Sequence, residues 1–144
     1  MLADIQTVQI SMMIPADCAQ AVGGKLYILG GGFNHLAVPE FPAAHTFDVA
    51  LIVDVPWDNT NRPYDVAIEL VDADGQSLGY RAEATLETGR PAGARPGTSF
   101  ALPLAIPVSV EFPAPGRYAI RGEVNGVEVR RAVLDVVSAA EVGS

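Results

Sequence analysis

From Phe100 to Phe112 every second residue is apolar: Phe100, Leu102, Leu104, Ile106, Val108, Val110 and Phe112. The positions between them hold Ala101, Pro103, Ala105, Pro107, Ser109 and Glu111. A period of two puts one set of side chains on one face of an extended strand, whereas a helix would scatter both sets around its axis. The stretch therefore reads as a long strand with one buried face. Proline has no N–H to give to a ladder. Pro103 and Pro107 share a parity, so the donors they lack fall on one side. An edge strand is predicted, or one whose pairing is interrupted on that side.

The same alternation recurs. Val66, Ile68 and Leu70 precede Leu78, Tyr80, Ala82, Ala84 and Leu86, with the turn residues Asp72-Ala73-Asp74-Gly75-Gln76 between them. Bringing both apolar sets to one face pairs Leu70 with Leu78, Ile68 with Tyr80 and Val66 with Ala82, around a type I turn with Gly75 at positive φ. Asn125-Gly126 is a strong two-residue hairpin signal and pairs Val124 with Val127 and Gly122 with Val129. The apolar parity then slips by one, which predicts a bulge near Arg130-Arg131 and pairs Ile120 with Ala132 and Tyr118 with Leu134. Upstream, Val8, Ile10, Met12 and Ile14 alternate, Lys25 to Leu29 forms a compact apolar strand, and Phe47 to Val55 forms another. Helical spacing is nearly absent; Pro15 to Ala21 has room for one turn at most. Tyr118, just after Pro115-Gly116, is either a tyrosine corner at the start of a penultimate strand or an ordinary core tyrosine.

Together these signals predict an all-β chain: a two-layer antiparallel β-sandwich, immunoglobulin-like, of about eight or nine strands with little or no helix. With 144 residues, 49% of them hydrophobic, the chain is long enough to bury a real core and is expected to form one domain over residues 1–144. A formal charge of −8 argues against a general nucleic-acid binder, which needs a basic face. No apolar run reaches the length of a membrane span. Met1 to Pro15 lacks the cationic start of a secretory leader, and Cys18 is the only cysteine, so a cytoplasmic protein without an internal disulfide is expected.

The chemical motifs are weak. Gly75-Gln76-Ser77-Leu78-Gly79 matches the nucleophile-elbow pattern, but that motif needs a strand–turn–helix setting, and both histidines, His35 and His45, precede Ser77 where the hydrolase order places His last. Cys18 with either histidine could form a thiol–imidazole pair; a buried or partly buried inert thiol is the simpler reading. Gly30-Gly31-Gly32 follows a strand but starts no helix, so it marks a bulge or sharp turn and not a phosphate cradle. Asp54, Asp58, Asn59, Asn61 and Asp65 crowd one loop beside Trp57, which suggests a calcium- or carbohydrate-binding module. The spacing fits no EF-hand, and a turn-rich loop with Trp57 as a lid over the core end is preferred. Arginines gather late, with Arg90 and Arg95 in a Gly/Pro-rich loop and Arg117, Arg121, Arg130 and Arg131 around the last hairpin.

Several of these segments have a familiar form. Asp17-Cys18-Ala19-Gln20-Ala21-Val22-Gly23-Gly24-Lys25-Leu26-Tyr27-Ile28-Leu29-Gly30, Pro39-Glu40-Phe41-Pro42, the Asp74-Gly75 turn and Pro115-Gly116-Arg117-Tyr118 resemble a family of uncharacterised bacterial single-domain proteins. The resemblance implies a β-sandwich and brings no catalytic residues with it.

The reading that follows is a non-catalytic binding or assembly module without a cofactor or metal. It engages a protein partner or associates with itself. Trp57, Arg90, Arg95, Pro103, Pro107, Arg130 and Arg131 are the candidate contacts. The alternative is a small hydrolase or thiol enzyme using Ser77 or Cys18.

Overall fold

The computed structural model describes residues 7–139. The expectation that no secretory leader is present rests partly on residues 1–6, which lie outside the described residues. Nine strands are present among the described residues: β1 (Gln9–Val22), β2 (Lys25–Gly31), β3 (His35–Val38), β4 (Ala43–Val55), β5 (Tyr64–Val71), β6 (Ser77–Leu86), β7 (Phe100–Phe112), β8 (Gly116–Val124) and β9 (Val127–Ser138). Two sheets result, one ordered β2-β1-β4-β7 and the other β3-β9-β8-β5-β6. All neighbours run antiparallel except β3 and β9, which pair in parallel over four positions. The predicted β-sandwich is thus formed. A short 3-10 turn spans Trp57–Asn59 between β4 and β5.

The inner faces meet in one core. Phe47, Val49, Leu51 and Val53 of β4 and Val108, Val110 and Phe112 of β7 face Val66, Ile68 and Leu70 of β5 and Tyr118, Ile120 and Val124 of β8. The long alternating strand is β7, and it lies on a sheet edge, as its prolines require. Tyr118 is the corner tyrosine: its hydroxyl donates to the Ala114 carbonyl at 2.5 Å, and its ring packs 4.9 Å from Phe112. This bond ties the β7–β8 connection to the first residues of β8.

Several registers differ from the sequence reading. Ile68 pairs with Ala82, not Tyr80, because Gly79 lies at φ 89 and β6 carries extra residues opposite Leu70. Gly75 has the predicted positive φ of 81, but the turn is held by Asp72, whose Oδ1 accepts from the N–H groups of Asp74 and Gln76, each at 2.9 Å. In the last hairpin Tyr118 pairs with Leu134 and Ile120 with Ala132 as expected. The extra residue is Val129, just before the predicted site, so Gly122 faces Arg130. Gly122 points into the core; a Cβ there would collide with Ile10 and Met13. The alternation of Val8, Ile10, Met12 and Ile14 also breaks, since a bulge between Ile10 and Met12 sends Ile10 and Met13 inward and Met12 and Ile14 outward. Pro15 to Ala21 forms no helical turn; it continues β1.

Replacing Tyr118 with Phe keeps the ring and deletes the corner bond. We expect a loss of about 1–2 kcal/mol. Differential scanning calorimetry should show this as a Tm decrease of roughly 3–6 °C for a chain of this length.

Candidate interaction surface

Each sheet has two edge strands, and an edge strand presents unpaired backbone groups to any passing chain. The four edges are handled differently. On β7, Pro107 has its carbonyl turned away from β4, where the Tyr80 hydroxyl of β6 donates to it. The backbone groups of that parity therefore face the free side, and Pro103 and Pro107 delete two donors from it. On β6, the bulge at Gly79 interrupts the strand, and Arg81 and Glu83 place charges along it. On β3, only four residues are available.

The fourth edge, β2, carries one charge at its start, Lys25, and from Leu26 to Leu29 none of these devices. That stretch is apolar and free of proline. Val22 and Lys25 close a two-residue loop over Gly23-Gly24. Lys25, Tyr27 and Leu29 therefore turn their backbone groups to β1, while Leu26 and Ile28 turn theirs to the open side.

The side chains of this hairpin are apolar on both faces. Between the pairs Ala16–Gly31 and Cys18–Leu29 the hairpin rolls over. Gly30 absorbs the roll at φ 64, and the Asp17 carboxylate lies where a Cβ on Gly30 would be. The roll brings Ala19, Leu26 and Ile28 onto the outer side of the four-stranded sheet. There they pack with Met12, Ile14, Ala16, Ala50 and Ala105 in a second, smaller core. Where β1 leaves β4, the Ala19 N–H is received by Asp48 Oδ2 at 2.8 Å. The opposite face of the hairpin has no cover. Leu29 is 70% exposed, Val22 57% and Tyr27 56%. Cys18, Gln20, Tyr27, Ile28 and Leu29 line a shallow depression there. These side chains cluster into one apolar patch, unlike single surface valines such as Val127 and Val133.

The residues singled out from the sequence lie elsewhere. Ser77 begins β6 and its Oγ accepts from the Gly79 N–H at 3.0 Å; it stands on a hairpin, not on an elbow. Cys18 is exposed, contrary to the buried thiol expected, because the hairpin roll turns its face outward. Neither histidine lines its depression. His35 has Nδ1 2.7 Å from Asn34 Oδ1 and Nε2 3.6 Å from Asp135, while His45 packs 6.0 Å from Phe47.

Trp57 and Arg90 come together. The Arg90 guanidinium lies 4.0 Å over the Trp57 ring, donates to the Trp57 carbonyl at 2.7 Å and to Thr60 Oγ1 at 2.8 Å. The other side of the indole stacks on Phe100, with centroids 6.3 Å apart. Arg90 thus latches the Gly/Pro-rich loop to the 3-10 turn. The Trp57 carbonyl and Thr60 hydroxyl, close to the acidic residues in sequence, are thus bonded to a cation of the protein's own. Among the described residues no group of three or more His, Cys, Asp and Glu is placed to hold a metal. Arg95 is exposed in the same loop, where its carbonyl accepts from Thr98.

The late arginines do not form a free basic patch. On the outer face of the five-stranded sheet, Arg81, Glu69 and Arg121 stand in register on β6, β5 and β8. Glu123 sits one row away and is only 6% exposed. Arg81 donates to both its carboxylate oxygens, at 2.9 and 3.3 Å, and Arg121 reaches Glu69 at 2.8 Å and Glu123 at 3.2 Å. Arg131 forks onto Glu128 at 2.8 and 3.2 Å. Hydrogen bonds from Arg81 hold the Glu123 carboxyl below its usual range, and those from Arg131 do the same for Glu128. Outside this network, Arg117 pairs with Asp135 at 3.0 Å and lowers its carboxyl likewise. Arg130 remains exposed beside the bulge.

The fold is a β-sandwich with one apolar, open-edged hairpin and one internally neutralised charged face. The chain belongs to the family of unknown function DUF6941, whose model matches residues 11–137. A search of curated proteins returns no match. The matched span includes the whole hairpin and every strand pairing except its outermost residues.

Two measurements probe this account. The folded Glu123 carboxyl lies below its ordinary 4.5, so it stabilises the fold fully above that pH and loses the contribution as pH falls through the folded value. As pH falls from neutral into the acid range, urea denaturation should show wild type losing more stability than Glu123→Gln, which has no carboxyl to titrate. Arg90→Ala removes a contact worth about 0.5–1 kcal/mol, so native-state amide hydrogen exchange at Ala94 and Thr98, whose N–H groups are bonded within the loop, should become roughly two- to fivefold faster.

Proposed function

We propose that this chain is a non-catalytic protein-binding module of the cytoplasm, immunoglobulin-like in its sandwich, that docks through the β1–β2 hairpin. One observation carries the reading. From Leu26 to Leu29 the β2 edge has no proline, charge or bulge, and it adjoins the exposed side chains of Val22, Tyr27 and Leu29. Together they fit strand addition, in which main-chain hydrogen bonds supply affinity and alternate side-chain contacts supply selectivity. Trp57, Arg90 and Arg131, occupied by internal partners, leave the contact list, and Pro103 and Pro107 serve to keep their edge unpaired. A protein surface suits the hairpin better than nucleic acid, because Lys25 is the only base on the four-stranded sheet. None of the described helices is long and apolar enough to cross a membrane. The non-catalytic reading is supported by the separation of Ser77 and Cys18 from both histidines.

A displayed peptide library selected against the protein tests this. Selected peptides should perturb the amide resonances of Leu26 to Leu29 and lose binding to Leu29→Lys. Selection of peptides that map to the Trp57 end, or no selection at all, would overturn the docking site. Covalent labelling by a serine- or thiol-directed activity probe, abolished by Ser77→Ala or Cys18→Ala, would overturn the non-catalytic reading.

A further inference from the structure

Strand addition leaves the occupant of the β2 edge open, and the charges at its two ends narrow the choice. Lys25 opens the strand, and the Asp17 carboxylate lies over Gly30 at its close. A strand with a base at one end and an acid at the other is complementary to an antiparallel copy of itself. Parallel addition would instead set like ends side by side. We infer that the occupant is a second copy of this chain, with two β2 strands joined antiparallel about a two-fold axis at Ile28. The inference rests on the docking site proposed above and adds the identity of the partner.

The register follows from the backbone. Leu26 and Ile28 direct their groups to the open side, so the ladder centres on the hydrogen-bonded pair of Ile28 with Ile28 of the other copy and ends where the roll at Gly30 breaks the parity. On the exposed face each Tyr27 then meets Leu29, an aromatic–aliphatic cross-strand pair that covers both large exposed side chains. Each Lys25 comes alongside Gly31 of the other copy. Neither Gly30 nor Gly31 has a side chain to obstruct a lysine reaching the Asp17 carboxylate. Such a two-fold contact uses the same patch on both copies and closes on itself, so it ends at a dimer and does not propagate into fibres. The two four-stranded sheets become one continuous eight-stranded sheet. A single seven-residue edge buries less than the roughly 1,200 Å² of a standard interface. The dimer is therefore weak and concentration-dependent.

Sedimentation velocity on the whole chain, from low micromolar to millimolar concentration, reads the association directly. Wild type should shift from monomer to dimer and stop there. Lys25→Glu should raise the dissociation constant about tenfold or more, since each new carboxylate faces Asp17. The double variant Lys25→Glu with Asp17→Lys should recover most of that loss. Leu29→Lys, at a largely exposed position, should abolish the dimer, and unchanged circular dichroism melts would confirm that these variants fold. A strict monomer at millimolar concentration, or a dimer indifferent to Lys25→Glu and Leu29→Lys, would overturn the inference. If the chain stays monomeric while selected peptides still bind Leu26 to Leu29, the docking site stands and the second copy is excluded. If dimerisation survives every hairpin variant, both the docking site and its occupant are wrong.

Discussion

A strand at the side of a sheet has backbone donors and acceptors that no neighbour satisfies, and the surface of this sandwich is organised by what is done with them. Two edges on one flank, β6 and β7, lean together, joined where the Tyr80 hydroxyl meets the Pro107 carbonyl. Proline removes donors from β7, and charge and a bulge protect β6. On the other flank β3 is kept very short and pairs in parallel with the end of the chain. β2 alone keeps a regular, apolar stretch on its edge, Leu26 to Leu29, between Lys25 and the roll at Gly30. Its difference from the other three is the main reason to assign function there.

That edge exists because the four-stranded sheet can roll. Ala16, Ala50 and Ala105 put small side chains on its outer face, where most sandwiches present polar residues to water. Larger residues there would hold Leu26 and Ile28 away. With alanines in place, the hairpin tip closes onto the sheet, Gly30 supplies the necessary dihedral, and Asp48 receives the N–H that β4 no longer pairs. The other sheet solves its outer face differently, with alternating arginines and glutamates that satisfy each other. The protein thus has one outer face that is electrically self-contained and another that is apolar.

Much of the fold was legible in the sequence because binary alternation is written along the strands themselves. The run from Phe100 to Phe112 gave both a strand and an edge, since proline parity is a statement about backbone donors. Asn125-Gly126 and the Tyr118 position were readable for the same local reason. What escaped were the places where one residue changes parity without a distinctive side chain. The bulge after Ile10, the extra residues around Gly79 and the roll at Asp17 and Gly30 are of this kind. Each is decided by packing on another strand and not by propensity. The docking hairpin was missed as a site for that reason. Lys25 to Leu29 reads as an ordinary apolar strand until the roll shows which half of its side chains is buried. The arginines misled in the opposite direction: Arg90 and Arg117 find partners far away in sequence, and Arg131 meets Glu128 on its own strand only because the bulge at Val129 intervenes, so they looked free.

The ladder between β4 and β7 has a consequence for how the chain reaches this state. It runs the full length of both strands, joining Val55 to Phe100 at one end and Ala43 to Phe112 at the other. The parallel pair of β3 and β9 spans further still, from His35 to Asp135. Few of the contacts that build the core lie close along the chain. Local hairpins such as those at Gly23-Gly24 and Asn125-Gly126 form early but bury little alone. Folding must wait for distant segments to meet, which places the protein among slow folders, on a timescale of milliseconds to seconds. During that interval the unprotected β2 edge is already assembled on its hairpin, while the prolines of β7 keep the longest strand from pairing with the wrong neighbour.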